Sequence, residues 1–241
     1  MLATHLRALS DLVLPRTCTA CGSDLCLHER QLCTECAAGL PLTCFWQERG
    51  NPMAMRFNEL LSRDLEGYTP FSYAAALIYY GGASPYRNIP QAVKYRSNLR
   101  AGRHFARLLG MHLAGSPLFA DVDLVVPVPL HPLRRLRRGY NQAEVLARGI
   151  ARALPSARMD TGILRRRRHT RTQTRLSGED KRRNVVGAFS AGRRPADSCR
   201  HILLIDDVFT TGSTLAACHK ALRAVTGPHT RISIATLAFV R

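Results

Sequence analysis

From about residue 71 onward, apolar positions follow two alternating rhythms. Residues 73–80 form a continuous apolar run of strand length, broken by Gly81-Gly82. Residues 89–115 carry helical spacing in Phe105, Leu108, Leu109 and Leu113. Residues 122–128 read as a second buried strand, stopped by Pro127 and Pro129. Residues 140–154 predict a helix with Ala143, Leu146, Ala147 and Ile150 on one face. The strand pattern resumes at 184–189 and again in the run Ile202, Leu203, Leu204, Ile205. A helix over 213–225 and a strand over 231–238 complete the series. Strands alternating with helices predict an α/β fold, a mainly parallel sheet flanked by helices.

Before residue 71 the pattern changes. Residues 1–14 suggest a short amphipathic helix, with Leu6, Leu9, Leu12 and Val13 interrupted by His5, Arg7 and Asp11. A secretory signal needs an uninterrupted apolar region, so the expected location is cytoplasmic. Residues 45–70 combine Gly50, Pro52, Gly67 and Pro70 with a brief apolar-periodic piece at 57–65, and read as a connector. The expected organisation is therefore 1–44 as helix and finger, 45–70 as connector and 71–241 as the main domain. No stretch approaches the roughly 18 apolar residues of a membrane span.

Charge narrows the partners. The 35 Lys plus Arg against 17 Asp plus Glu leave a formal charge of +18, which favours polyanions and phosphorylated ligands. Nine Lys or Arg fall between residues 165 and 183, and Arg134, Arg135, Arg137 and Arg138 form a second cluster, both in segments that read as loops. With 7% aromatic residues, nucleic acid would be held mostly through phosphates rather than by stacked bases.

Six of the eight cysteines lie within the first 44 residues. Cys18 and Cys21, then Cys33 and Cys36, are two C-x2-C knuckles separated by eleven residues. That spacing lets four thiolates converge on one tetrahedral Zn²⁺ with no open position, a structural site. Cys26, His28 and Cys44 remain alternative ligands, and a disulfide framework is the competing reading.

The most specific chemistry lies at Asp206-Asp207-Val208-Phe209-Thr210-Thr211-Gly212-Ser213-Thr214. At the carboxyl end of a buried strand, the loop Thr210–Thr214 would offer amides, hydroxyls and a helix N-terminus to one phosphate. Asp206 and Asp207 would accept from sugar hydroxyls or hold a divalent cation. No Gly-Lys-Ser/Thr follows, so this is not a P-loop. An ordinary strand–turn–helix would also fit the pattern. Val128 and Pro129 stand in a stiff turn that, with the adjacent basic Arg138-Gly139-Tyr140-Asn141-Gln142, would present backbone amides and charge to a pyrophosphate. Residues 168–176 are basic and aperiodic, as in a flap that closes over an anion or in a merely solvated loop.

The acidic–Thr–Gly block resembles the phosphoribosyl pyrophosphate (PRPP) signature of type I phosphoribosyltransferases. With the two C-x2-C pairs, Ala92-Val93-Lys94-Tyr95, Pro127-Val128-Pro129-Leu130-His131, Arg138-Gly139-Tyr140-Asn141-Gln142 and the 168–176 segment, the chain resembles the ComF/GntX family of competence-associated proteins. Many relatives carry further cysteine pairs after the first, where this chain has only Cys44. The resemblance implies a type I phosphoribosyltransferase fold behind a four-cysteine zinc finger. It implies PRPP bound with Mg²⁺ by Asp206, Asp207, Thr210, Thr211, Gly212, Ser213, Thr214, Val128, Pro129, Arg138 and Lys94. It also implies catalytic parts for Asp206, Asp207 and Arg168. For Lys94 a solvated helix charge is the duller alternative.

Two functions are consistent with this reading. One is a phosphoribosyltransferase of unknown acceptor, linked to DNA uptake. The other is a non-catalytic PRPP sensor, or an adaptor that binds single-stranded DNA or DNA-processing proteins. Self-association is left open.

Overall fold

The computed structural model describes residues 15–64, 70–82, 84–95, 98–167 and 187–241. The expected N-terminal helix, most of the 168–176 segment's flanks and that segment itself, with Arg168, lie outside the described residues, as do Asn184, Val185 and Val186.

Among the described residues, five strands make one parallel sheet in the order β1-β7-β6-β2-β3: β1 (Ala74–Tyr80), β2 (Leu124–Pro127), β3 (Arg158–Met159), β6 (His201–Phe209) and β7 (Arg231–Val240). Two further strands, β4 (Leu164–Arg166) and β5 (Phe189–Ala191), pair antiparallel in a small separate sheet. Continuous apolar runs predict strands buried on both faces, and the central sheet has that burial. Leu203 and Ile205 of β6 point to one side, Ile202 and Leu204 to the other.

The side of Leu203 is covered by α3 (Asn88–Tyr95), α4 (Leu99–Ala114) and α6 (Gln142–Ala151), through Ile89, Val93, Phe105, Leu109, Leu146 and Ile150. The opposite side is covered by α2 (Pro52–Asp64) and α7 (Ser213–Arg223), through Met53, Phe57, Leu61, Leu215, Cys218 and Leu222. The α/β architecture is thus as the alternating pattern implies.

Three elements differ in detail from the sequence expectation. The helix expected over 89–115 is two, because Asn98 caps α4 by accepting from the Ala101 amide at 2.9 Å. The arginine cluster expected in a loop lies on a short helix, α5 (Pro132–Arg138), opened by Pro132 and closed by Gly139 at φ +79°. The stretch expected as a connector includes the 13-residue α2, whose Asn51 side chain donates to the carbonyls of Phe45 and Ala74 while accepting from the Ala54 amide. Its apolar positions Met53, Phe57 and Leu61, spaced by four, supply part of the core.

The N-terminal cysteine region includes α1 (Thr34–Ala38) and packs on the α3 side, where Cys18, Ala20, Leu25, Leu32 and Cys36 join Ile89 and Val93. Residues 41–43 run beside β1 and cover its free edge, Thr43 N–H donating to Leu77 C=O at 3.1 Å and Tyr79 N–H to Pro41 C=O at 3.0 Å.

Candidate phosphate–ribose crevice and four-cysteine centre

After β2 the chain proceeds outward to β3, and after β6 it proceeds the other way to β7. Adjacent strands whose connections diverge leave a crevice at their carboxyl ends, the usual ligand position in open α/β sheets. The Val128 amide donates to Ile205 C=O at 2.9 Å, so the Pro127–His131 turn runs directly beside Asp206. Val128 has therefore spent its amide, its carbonyl accepts from Asn141 Nδ2 at 3.0 Å, and Pro129 has no amide. Any backbone donor this turn offers to an anion comes from Leu130 onward, which narrows the expectation that the turn as a whole presents amides.

Asp206 and Asp207 leave β6 on opposite sides, as successive strand residues must. Asp207 meets Lys94 of α3, Nζ to Oδ2 at 3.3 Å, and Lys94 C=O accepts from Gln142 Nε2 at 3.4 Å. Asp206 belongs to the α7 side, within the field of Arg166 on β4, and accepts from the Asp207 amide at 2.9 Å. Burial pushes the Asp206 carboxyl up to about 7 and the Asp207 charge pushes the same way, while Lys94 and Arg166 pull it back. A carboxyl so placed gains when a cation or hydroxyl donors arrive.

The phosphate-type loop follows directly. Gly212 is the N-cap of α7 at φ +76°, a left-handed conformation that glycine takes without strain. A Cβ there would lie 2.8 Å from Phe209 and 2.9 Å from Leu60, so the position has no room either. With glycine at the cap, no side chain from that position covers the first-turn amides of α7. Thr211 and Ser213 hydroxyls meet at 3.0 Å beside them, and Thr210 is exposed.

Thus Asp206, Asp207, Lys94, Thr210, Thr211, Gly212, Ser213, Thr214, Val128 and Pro129 converge around the ends of β2 and β6. Arg138, half-buried at the end of α5, is reached through the same turn. Arg166 and Leu60 are not singled out by the sequence, where Arg166 reads only as part of a charge run and Leu60 as part of a connector. Asn141, quoted in the Arg138-Gly139-Tyr140-Asn141-Gln142 motif and expected inside a helix, instead caps α6 by accepting from the Ala143 amide at 3.1 Å.

In the N-terminal region the sulfurs of Cys18, Cys21, Cys33 and Cys36 all lie within 4.8 Å of one another, and Cys21 and Cys33 are 3.8 Å apart. A tetrahedron with Zn–S bonds of ~2.3 Å has edges of ~3.8 Å, so the donor set fits Zn²⁺. Burial pushes the Cys36 thiol up and the neighbouring sulfurs add to this, a repulsion that a dication reverses. Cys26 and Cys44 stand outside this cluster among the described residues. Glu29 braces the loop between the knuckles, accepting from the Cys26 and Thr34 amides, each at 2.7 Å.

Among the described residues no helix is long and apolar enough to cross a membrane. No family model matches the chain. Competence protein F of Haemophilus influenzae is 38% identical over 137 residues, covering 55% of this chain and 59% of that protein's length. DNA utilization protein YhgH of Escherichia coli O6:H1 is 29% identical over 215 residues, covering 88% of this chain and 92% of that protein, and the Salmonella typhi protein of the same name is also 29% identical. Among solved structures, adenine phosphoribosyltransferase of Trypanosoma brucei, in complex with AMP, pyrophosphate and ribose-5-phosphate, overlaps 80% of this chain and 81% of that one, with TM-score 0.36 and 13% identity. An overlap of that size decides nothing about the crevice. The chain is a homologue of the proteins named competence protein F and DNA utilization protein YhgH.

Proposed function

We propose that the crevice at the ends of β2 and β6 binds PRPP with Mg²⁺, in a protein that serves DNA uptake or utilization. The carrying observation is the juxtaposition of Asp206 and Asp207 with the glycine-opened N-terminus of α7. Either feature alone is common. Carboxylates beside an anion site repel an inorganic phosphate, but they suit a ligand that brings hydroxyls and a cation with its phosphates.

On this reading the 210–214 loop takes the 5′-phosphate by its amides and hydroxyls. Asp206 and Asp207 accept from the ribose hydroxyls, and Lys94 and Arg138 face the pyrophosphate. Mg²⁺ would neutralise pyrophosphate charge, held near Asp206 or Asp207. In a transferase, the anomeric C–O bond to pyrophosphate breaks as a bond to an acceptor nucleophile forms. The chain's part is to position the ribose and to balance charge around an oxocarbenium-like transition state. Arg168 and the 168–176 segment are proposed to close over the anion.

A second reading, a single-stranded DNA adaptor, is favoured by the +18 charge and by the relatives' names. Contact mainly to phosphates makes such binding fall steeply with salt.

Isothermal titration of PRPP with Mg²⁺ tests the first reading, on the native chain and on Asp206→Asn/Asp207→Asn. Binding that weakens at least about tenfold in the double variant supports it. If neither PRPP nor pyrophosphate binds the native chain, the crevice reading is wrong. A salt series with a single-stranded oligonucleotide tests the second, and negligible affinity at low salt removes it.

A further inference from the structure

Away from the crevice, α4 and α6 pack along a seam of small residues. A Cβ on Gly149 would meet the Ala106 Cβ at 2.5 Å, one on Gly110 the Ala153 Cβ at 2.8 Å, and one on Gly102 a Val145 methyl at 3.0 Å. Contacts advance by four residues on each helix, so the two run side by side in the same direction. Above this seam lies an open groove of about 1110 Å³.

The groove has two kinds of surface. Leu99, Met111, Ala114, Val145 and Ala153 form an apolar floor, with Met111 58% exposed. Arg103 and Arg107 stand along the α4 side, Arg148 and Arg152 along the α6 side, and Arg135 at one end, all exposed. Within each row the arginines are four residues apart, about 6 Å along a helix. Glu144 is the one acid among the described residues lining the groove, and Arg135 already meets it at 3.3 Å.

We propose that this groove docks an acidic amphipathic helix of a partner protein. A third helix laid along the seam would set apolar side chains at i, i+3 or i+4, and i+7 on the aliphatic floor. Its flanking carboxylates would then meet both arginine rows in charge-assisted pairs. Unbranched Met111 suits such a floor because it adapts to different side-chain shapes.

Two other occupants fit less well. Single-stranded nucleic acid would satisfy the arginines, but its bases would find aliphatic carbon rather than a stacking platform. The ring lining the groove, Tyr140, is tethered by its hydroxyl to Val93 C=O. A second copy of this chain brings 35 basic residues against 17 acidic ones and offers the wrong sign. The proposal is independent of what the crevice binds.

Fluorescence anisotropy on the full chain tests it. The probe is a labelled synthetic helix of about sixteen residues, long enough to be partly helical in water. It carries leucines at heptad spacing with glutamates beside them. Saturable binding is expected, lowered at least about tenfold in Arg107→Glu/Arg148→Glu. A peptide with lysine for glutamate should recover affinity for that variant and not for the native chain. Both arginines are exposed, so matching thermal melts of variant and native chains separate loss of docking from loss of fold. Absence of saturable binding overturns the proposal. So does equal binding of a peptide with serine for leucine. So does a single-stranded oligonucleotide that loses affinity in the variant while the peptide does not.

Discussion

The side chain of Asn88, at the start of α3, donates to the carbonyl of Ala20, between two cysteines of the four-sulfur cluster, at 2.7 Å. Six residues on, at the last turn of the same helix, Lys94 reaches Asp207. One short helix therefore touches both the cysteine centre and the crevice. On the reading that the four sulfurs hold Zn²⁺, a strong chelator is expected to lower the melting temperature, because a segment this small would draw most of its folding energy from the ion. PRPP affinity should fall with it, as α3 loses the surface against which Ile89 and Asn88 are held. Asn88→Ala should cost about 1 kcal/mol by denaturant unfolding. Unchanged PRPP affinity after metal removal would show that α3 holds its place without the finger.

Gly212→Ala should be poorly tolerated. Its φ of +76° disfavours any side chain, and the new methyl would press on Phe209 and Leu60. The expected loss is roughly 1–3 kcal/mol of stability. PRPP binding should be lost as well, measured at a temperature where the variant is still folded. Wild-type affinity would mean the α7 N-terminus holds no phosphate.

Half-buried Asp206 and fully buried His219 should impose opposite pH dependences. Asp206 is raised from 3.8 to about 7, so the folded chain holds a proton that the unfolded chain releases, and stability falls as pH rises across that interval. His219, fully buried on α7 with its Nδ1 unpartnered, is lowered from 6.5 to about 3 by burial, with Arg223 adding to it. There the unfolded chain binds the extra proton, so stability falls as pH drops below about 6.5. Each slope is at most about 1.4 kcal/mol per pH unit, and between about pH 4 and 6.5 they oppose.

Single variants should unmask them. In His219→Leu, unfolding free energy should decline from about pH 4 to 7, and in Asp206→Asn it should climb over the same range. Chemical denaturation across that range reads both. Parallel profiles for the two variants would contradict these assignments.

Ligand affinity should follow Asp206 as well. Ionised, its carboxylate holds a cation and accepts charge-assisted hydrogen bonds from hydroxyls, both of which protonation weakens, so PRPP–Mg²⁺ binding should weaken as pH falls below about 7. The Asp206→Asn variant should lose that dependence along with most of its affinity. Isothermal titration at pH 6, 7 and 8 makes the comparison, and a flat native profile would remove Asp206 from the ligand's reach.

Much of this architecture was legible in one dimension. The runs around Leu77, Val125 and Leu203 announced strands buried on both faces, because a strand with no solvent face has no polar alternation. The paired spacing of Cys18, Cys21, Cys33 and Cys36 singled out the cluster, because two residues between thiolates suit one tetrahedral ion. Asp206 to Thr214 located the crevice loop, since a strand end followed by glycine and a helix is a local pattern.

What the sequence could not settle depended on neighbours distant along the chain. Asp206 and Asp207 must part to opposite faces of a strand, but that one meets Arg166 and the other Lys94 follows only once the helices have taken sides. Leu60 was hidden because a residue's role as a stop against Gly212 depends on packing rather than on periodicity. The arginine-rimmed groove exists only because Gly102, Gly110 and Gly149 let α4 and α6 approach, bringing Arg107 and Arg148 from separate helices to one opening. Local propensity and spacing determined the elements and the chemistry they carry. The meeting of side chains across long loops was decided by burial, which is a property of the whole chain.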